Sequence, residues 1–155
     1  MPTAPRMLRL RLAPLSSVSF PQPRDLGPRV WGSETLVAFL PGHFTGKIMH
    51  MNKGTKGGLQ YHRLKHEFGH LISGLLLLRY DAGDGKLSER ILEAGNDVEI
   101  PPFAVHQEEA LTDCVLVEFS TPVFNDRVRV ETLYGLPGEG GLPTTQESEI
   151  YDAPR

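Results

Sequence analysis

Four residues of this 155-residue chain have the types and spacing to gather around a divalent metal ion: Gln60, His62, Glu67 and His106. Gln60 and His62 are two apart in a β-type run, LQYH (59–62), so on a strand both side chains leave the same face. The four residues before Glu67 let the chain turn and send its carboxylate back toward them. His106 arrives from a later strand, after an Ile100-Pro101-Pro102 corner. Two imidazole nitrogens, one carboxylate oxygen and one amide oxygen form a mixed donor set. It suits Zn²⁺ first, and also Fe²⁺, Mn²⁺, Co²⁺ or Ni²⁺, with positions left for substrate or water. The same residues have a plainer reading, in which an inward histidine is a hydrogen-bonded core residue and Gln60 satisfies its amide inside a barrel. Glu67 weighs for the ion, because a buried, unpaired carboxylate is costly.

The elements that must position these side chains are short strands. β-type runs bounded by Gly, Pro, Asn or Asp occur at 35–40, 46–53, 59–62, 68–73, 75–80, 97–100, 114–120 and 128–131. The segment DAGDGK (81–86) has hairpin-turn chemistry, and KLSERILEAG (86–95) suits a short helix or a strand equally. With 16 glycines, 13 prolines and 39 % apolar residues, the composition fits many strands joined by tight turns. Regularly spaced strands of this kind predict an all-β sandwich or barrel. The length fits one domain, expected over 29–134. Residues 1–28 form a proline-rich N-terminal arm in this reading. Residues 135–155, polar and rich in Gly and Pro, form a flexible C-terminal tail. Alternation at Leu8 to Leu12 suggests an edge strand that could be exchanged in a homodimer.

The net charge of −3, with no long run of one sign, gives no basis for a nucleic-acid surface. The longest apolar stretch, Leu71 to Leu78, is broken by Ser73 and Gly74 and is too short to span a membrane as a helix. Leucines and arginines alternate near the N-terminus, so no clean apolar centre of a secretory leader stands out. The single cysteine, Cys114, reads as a small buried apolar residue and fits a reducing, cytoplasmic setting.

The segment from Gly54 to Gly74, GTKGGLQYHRLKHEFGHLISG, resembles the first motif of the cupin superfamily, G-x5-H-x-H-x3/4-E-x6-G. It matches at every spacing, with Gln60 in place of the first histidine. The segment GNDVEIPPFAVHQEEA resembles the second motif, G-x5-P-x-G-x2-H-x3-N. Gly95, Pro101 and His106 match, while Phe103 stands where Gly is usual and Ala110 where Asn is usual. The pattern Q-x-H-x4-E further resembles the cupin portion of phosphomannose isomerases. Trp31-Gly32-Ser33-Glu34 upstream, then Gly46-Lys47-Ile48 and Gly54, strengthen that likeness, although Gly58 replaces a common Ser. The resemblance implies a single cupin (jelly-roll) β-barrel, one divalent metal held by Gln60, His62, Glu67 and His106, and a small-molecule substrate of the sugar type.

Other polar residues are candidates at the mouth such a barrel would have. Arg63 and Lys65 could meet a phosphate or a sugar hydroxyl, or be solvated loop charges. Arg79 and Tyr80 end a strand, where one could reach into the pocket. Glu118 shares a face with Cys114, Leu116 and Ser120. Facing inward it is a candidate general base, with Lys65 in reserve; facing outward it is an ordinary surface carboxylate. His70 should face outward by alternation, and Asn125 to Arg129 fit a barrel rim or dimer surface. The expected function is a metal-dependent isomerase or epimerase of a phosphorylated or nucleotide-linked sugar. A mononuclear iron dioxygenase and a non-catalytic sugar- or metabolite-binding module are the alternatives.

Overall fold

The structure, a computed structural model, describes residues 16–155. Eleven strands are present among them: β1 (Arg24–Arg29), β2 (Gly32–Leu40), β3 (Phe44–Met51), β4 (Gln60–Tyr61), β5 (Glu67–Ser73), β6 (Leu75–Asp81), β7 (Leu87–Glu93), β8 (Asp97–Ile100), β9 (His106–Ala110), β10 (Cys114–Ser120) and β11 (Val128–Arg129). They make two antiparallel sheets, ordered β1-β2-β3-β10-β5-β8 and β11-β4-β9-β6-β7. The chain crosses repeatedly between the sheets, and the expected all-β barrel is what it builds. Its dry core holds Met49, Met51, Leu71, Leu76, Leu78, Leu92, Ala110, Cys114 and Leu116.

Local chemistry explains the crossings. Between β5 and β6 the chain changes sheet at Gly74, with φ of 95°. A Cβ there would lie 2.3 Å from the Asp113 carbonyl oxygen, so only glycine fits. At the β6–β7 hairpin, Asp81 accepts hydrogen bonds from the amides of Gly83, Asp84 and Gly85, the turn expected from DAGDGK. The ambiguous segment after it forms strand β7. β1 and β9 lie outside the predicted runs. β1 contains Gly and Pro, and β9 reads HQEEA, too polar to look like a strand.

Both ends of the expected domain move outward. β1 pairs with β2 from Arg24 onward, so the barrel starts before residue 29. The flexible tail expected at 135–155 instead runs back along the barrel. The Thr145 amide donates to the Arg127 carbonyl, and Phe124 and Tyr151 exchange backbone hydrogen bonds. The rings of these two residues stack with centroids 5.7 Å apart, and Thr145 is buried. Polar composition misled here because the segment is held by backbone hydrogen bonds and by Arg127 and Arg129, rather than by apolar burial. The edge strand expected at Leu8 to Leu12 lies outside the described residues. No helix among the described residues is long and apolar enough to cross a membrane.

Candidate metal centre and its cavity

Gln60 on β4 pairs directly with His106 on β9, and Glu67 opens β5. The turn between β4 and β5 carries His62. His62 Nε2 lies 3.1 Å from Glu67 Oε2, and His106 Nε2 lies 3.8 Å from the same oxygen. One donor atom from each of the three residues lies within 4.8 Å of the others, and all three residues are buried. The opposite ring nitrogens are anchored: His62 Nδ1 donates to the Asp126 carbonyl, and His106 Nδ1 donates to the Ala104 carbonyl at 2.9 Å. A carbonyl only accepts, so each ring carries a hydrogen on Nδ1 and turns Nε2 toward Glu67.

Burial and the charge of Lys65 dominate the electrostatics of this arrangement. Burial, then the charge of Lys65, holds His62 below its usual pKa, so it is neutral near pH 7. Burial works against ionisation of Glu67, but Lys65 and then His62 outweigh it and keep this carboxyl well below the usual carboxylate range. Two imidazole nitrogens and one carboxylate oxygen thus converge in a buried space, His62 Nε2 within hydrogen-bond distance of Glu67 Oε2. The donor set suits a divalent transition ion. Lys65 Nζ pairs with Glu67 Oε1, which leaves Oε2 toward the histidines. Gln60 lines the same cavity.

Asp126, which sequence reasoning placed only on a rim, is a latch. Its carboxylate accepts the backbone amides of Arg63, Leu64 and Lys65 at 3.0, 2.7 and 3.0 Å, while its carbonyl holds His62. Burial would raise its pKa, yet the three amides keep it low. One residue thus fixes both the tautomer of His62 and the turn that carries Lys65.

The centre opens into a cavity of about 420 Å³. Glu118 faces inward from β10, beside Lys47 of β3. Lys47 Nζ lies 2.9 Å from Glu34 Oε1 and 3.4 Å from Glu118 Oε1, and the latter atom has no hydrogen-bond partner. Arg29 also pairs with Glu34 at 3.0 Å. Burial pushes against the charge of Glu34, but Lys47 and Arg29 hold its pKa below the ordinary value. Burial likewise opposes the charge of Lys47, which Glu118 and Glu34 nevertheless raise above its usual pKa. Glu108, which the sequence reading missed, shares the inward face of β9 with His106 and lines the cavity. Burial pushes its pKa up, opposed by His106 and reinforced by Glu67. Its period-2 spacing from His106 was the available signal.

Three other candidates sit elsewhere. Arg79 is on the outer side of its sheet, with Glu89 at 2.9 Å and Glu109 at 2.5 Å. Arg63 points to Asp126, 3.8 Å away, and is not part of the cavity wall. Tyr80 lines a separate groove with Asp81, Arg90 and Ile100. None of the three is placed to bind a ligand in the cavity. Their candidacy rested on sequence proximity to the motifs, which does not say which way a side chain turns. His66 and His70 are surface residues paired with Glu99 and Asp97. The departures from the motifs are accommodated locally. Phe103, standing where Gly is usual, keeps a glycine-type φ of 66°, with its ring 5.6 Å from that of Tyr61. Gly58, where Ser is common, makes room for Arg129: a Cβ would lie 2.5 Å from Nε.

No family model matches the chain, and no curated protein matches it. Solved structures do. The capsular polysaccharide assembling protein CapF from Staphylococcus aureus superposes with a TM-score of 0.57 at 22 % identity, covering 66 % of this chain and 28 % of that one. CapF with the inhibitor 3-isopropenyl-tropolone gives 0.56 at 23 % identity, covering 66 % and 31 %. KdgF from Halomonas sp. gives 0.51 at 18 % identity, covering 57 % and 76 %. The chain therefore spans less than a third of the CapF chains it matches.

Proposed function

We propose that this chain, a cupin by fold, is a metal-dependent isomerase or epimerase of a sugar derivative. The observation that carries the reading is the convergence of His62, His106 and Glu67, three buried residues that each offer a ligand atom within 4.8 Å of the others. Gln60, beside His106 on the neighbouring strand, is the proposed fourth ligand. A divalent ion held there supplies Lewis acidity toward a carbonyl or hydroxyl oxygen.

The proton chemistry belongs to the protein. Glu118, which lines the cavity and whose Oε1 has no hydrogen-bond partner and only the Lys47 ammonium at 3.4 Å, is the proposed base that removes a proton from the carbon next to the carbonyl. Glu108 retains its proton to higher pH than an ordinary glutamate and is the proposed acid that returns one. Lys65 neutralises Glu67 and steadies the donor set. We also propose that the protein acts as a homodimer in the cytoplasm.

The test is deuterium incorporation. Metal-loaded protein incubated in D₂O with hexose, hexose phosphate, uronate and nucleotide-sugar panels should place deuterium at the carbon next to the carbonyl. Glu118→Gln should retain metal and lower exchange by on the order of a hundredfold. His106→Ala should lose metal and exchange together. Absence of exchange across the panels with metal bound would reject the isomerase reading. Two histidines and one carboxylate also form the donor set of mononuclear iron oxygenases. Consumption of O₂ by the iron-loaded protein, with no exchange, would favour that alternative.

A further inference from the structure

The cavity wall carries arginines as well as the candidate metal ligands. Arg29, Arg127 and Arg129 all belong to it. Two of them are committed. Arg29 pairs with Glu34, and Arg129 pairs with Glu131 while donating to the carbonyls of Gly140 and Leu142. Arg127 is different. Its Nε donates to the Pro143 carbonyl at 2.8 Å and one terminal nitrogen to Asn125 Oδ1 at 3.1 Å. No carboxylate among the described residues forms an ion pair with it. Burial, then the charges of Arg29 and Arg129, press its pKa below the usual value, and Glu149 and Glu34 only partly oppose them. A positive group crowded by like charges and held by two neutral acceptors keeps donors and charge for a ligand.

We propose that Arg127 heads an anion subsite, and that the ligand of this cavity is an anionic sugar whose phosphate or carboxylate docks on its guanidinium. This rests on the sugar reading above and narrows it. The returning C-terminal segment builds the subsite. Pro143 fixes the guanidinium through Nε, and Gly141, Leu142, Tyr151 and Arg155 wall the same space. Arg155 lies over the Tyr151 ring, 4.3 Å from its centroid, and adds a further cation. The charges in the cavity wall suit such a ligand. Glu34, Glu67 and Glu118 are each paired with Lys47 or Lys65, whereas Arg127 has no carboxylate partner among the described residues.

The experiment is calorimetric titration of metal-loaded full-length protein with glucose 6-phosphate, mannose 6-phosphate, glucuronate and neutral glucose and mannose. The wild type should bind the phosphates or glucuronate more tightly than the neutral sugars. That preference should shrink as salt is raised. Arg127→Gln should weaken the anionic probes by on the order of tenfold or more, leave the neutral sugars unchanged and keep the metal content. Arg127→Lys, which keeps the charge but not the fork, should fall between. Tight phosphates with weak glucuronate would assign the subsite to phosphate, and the reverse to carboxylate. Equal affinity of the wild type for neutral and anionic probes would overturn the proposal without reference to any variant. So would anionic binding unaffected by Arg127→Gln. Arg127-dependent binding without deuterium exchange would keep the subsite and reject the isomerase.

Discussion

The barrel interior has two halves built on the same strands. On β10 the inward positions run Cys114 and Leu116, then Glu118 and Ser120. On β3 they run Met51 and Met49, then Lys47 and Thr45, and on β5 Leu71 and Glu67 follow the same order from dry to wet. The ladder is shared, as Leu116 pairs with Met49 and Glu118 with Lys47. What changes is the polarity of the inward residue at one level of the barrel. Below that level the strands close an apolar core; above it they hold charges in pairs around a cavity. Alternation is thus obeyed in both halves while hydrophobicity is not, because the wet half stabilises its charges through one another and through backbone groups.

The sharpest way to separate the halves is to damage one and watch the other. Leu76→Ala, at a position with no exposure, should cost about 2–5 kcal/mol of unfolding free energy while the folded protein keeps its metal affinity. Denaturant unfolding and calorimetric metal titration read the two effects, and a large fall in metal affinity would mean that the halves are coupled. Asp126→Asn should do the converse. It replaces one acceptor oxygen of the latch by a donor, and should weaken metal binding by roughly ten- to a hundredfold, the range for groups that orient ligands. Unchanged affinity would show that the Asp126 carboxylate is not needed to hold the metal-site turn.

A smaller effect should appear in acid. Glu34 has a folded pKa below its ordinary 4.5, so its contribution is complete above that value and is lost as pH falls through the lower folded value. Thermal unfolding from pH 6 downward should show wild-type stability falling below about pH 4.5, and Glu34→Gln should flatten that limb. A parallel slope would show that Glu34 does not govern the acid limb. Least of all, Phe103→Gly relieves a positive φ but loses the contact with Tyr61 and frees the unfolded chain. The net should be a gain of about 1 kcal/mol or less in chemical unfolding. A clear loss would mean that the ring contact outweighs the relief of backbone strain.

The dry half and the donor set were legible in the sequence because both follow short-range periodicity. The 97–100 and 114–120 runs match β8 and β10, and the spacing from Gly54 to Gly74 placed His62 and Glu67 where they converge with His106. The wet half was legible only in part. Whether Glu118 faces inward is decided by strand phase, and β9 was hidden because three of its five residues carry long polar side chains. Asp126 and Arg127 act through backbone partners more than sixty and about sixteen residues away, and no local pattern encodes those contacts. The tail was misread for the same reason. Its order comes from acceptors offered to two arginines, which composition does not register.

That Asp126 and Arg127 are consecutive has a consequence for ligand length. The carbonyl of the first holds His62 of the candidate metal centre, and the guanidinium of the second heads the proposed anion subsite, so a single planar peptide unit lies between them. The Pro143 carbonyl and Asn125 in turn hold the guanidinium, so the separation of the two sites is constrained on both sides of that peptide. Homologous sugar acids one carbon longer or shorter should therefore bind more weakly than the one that spans it.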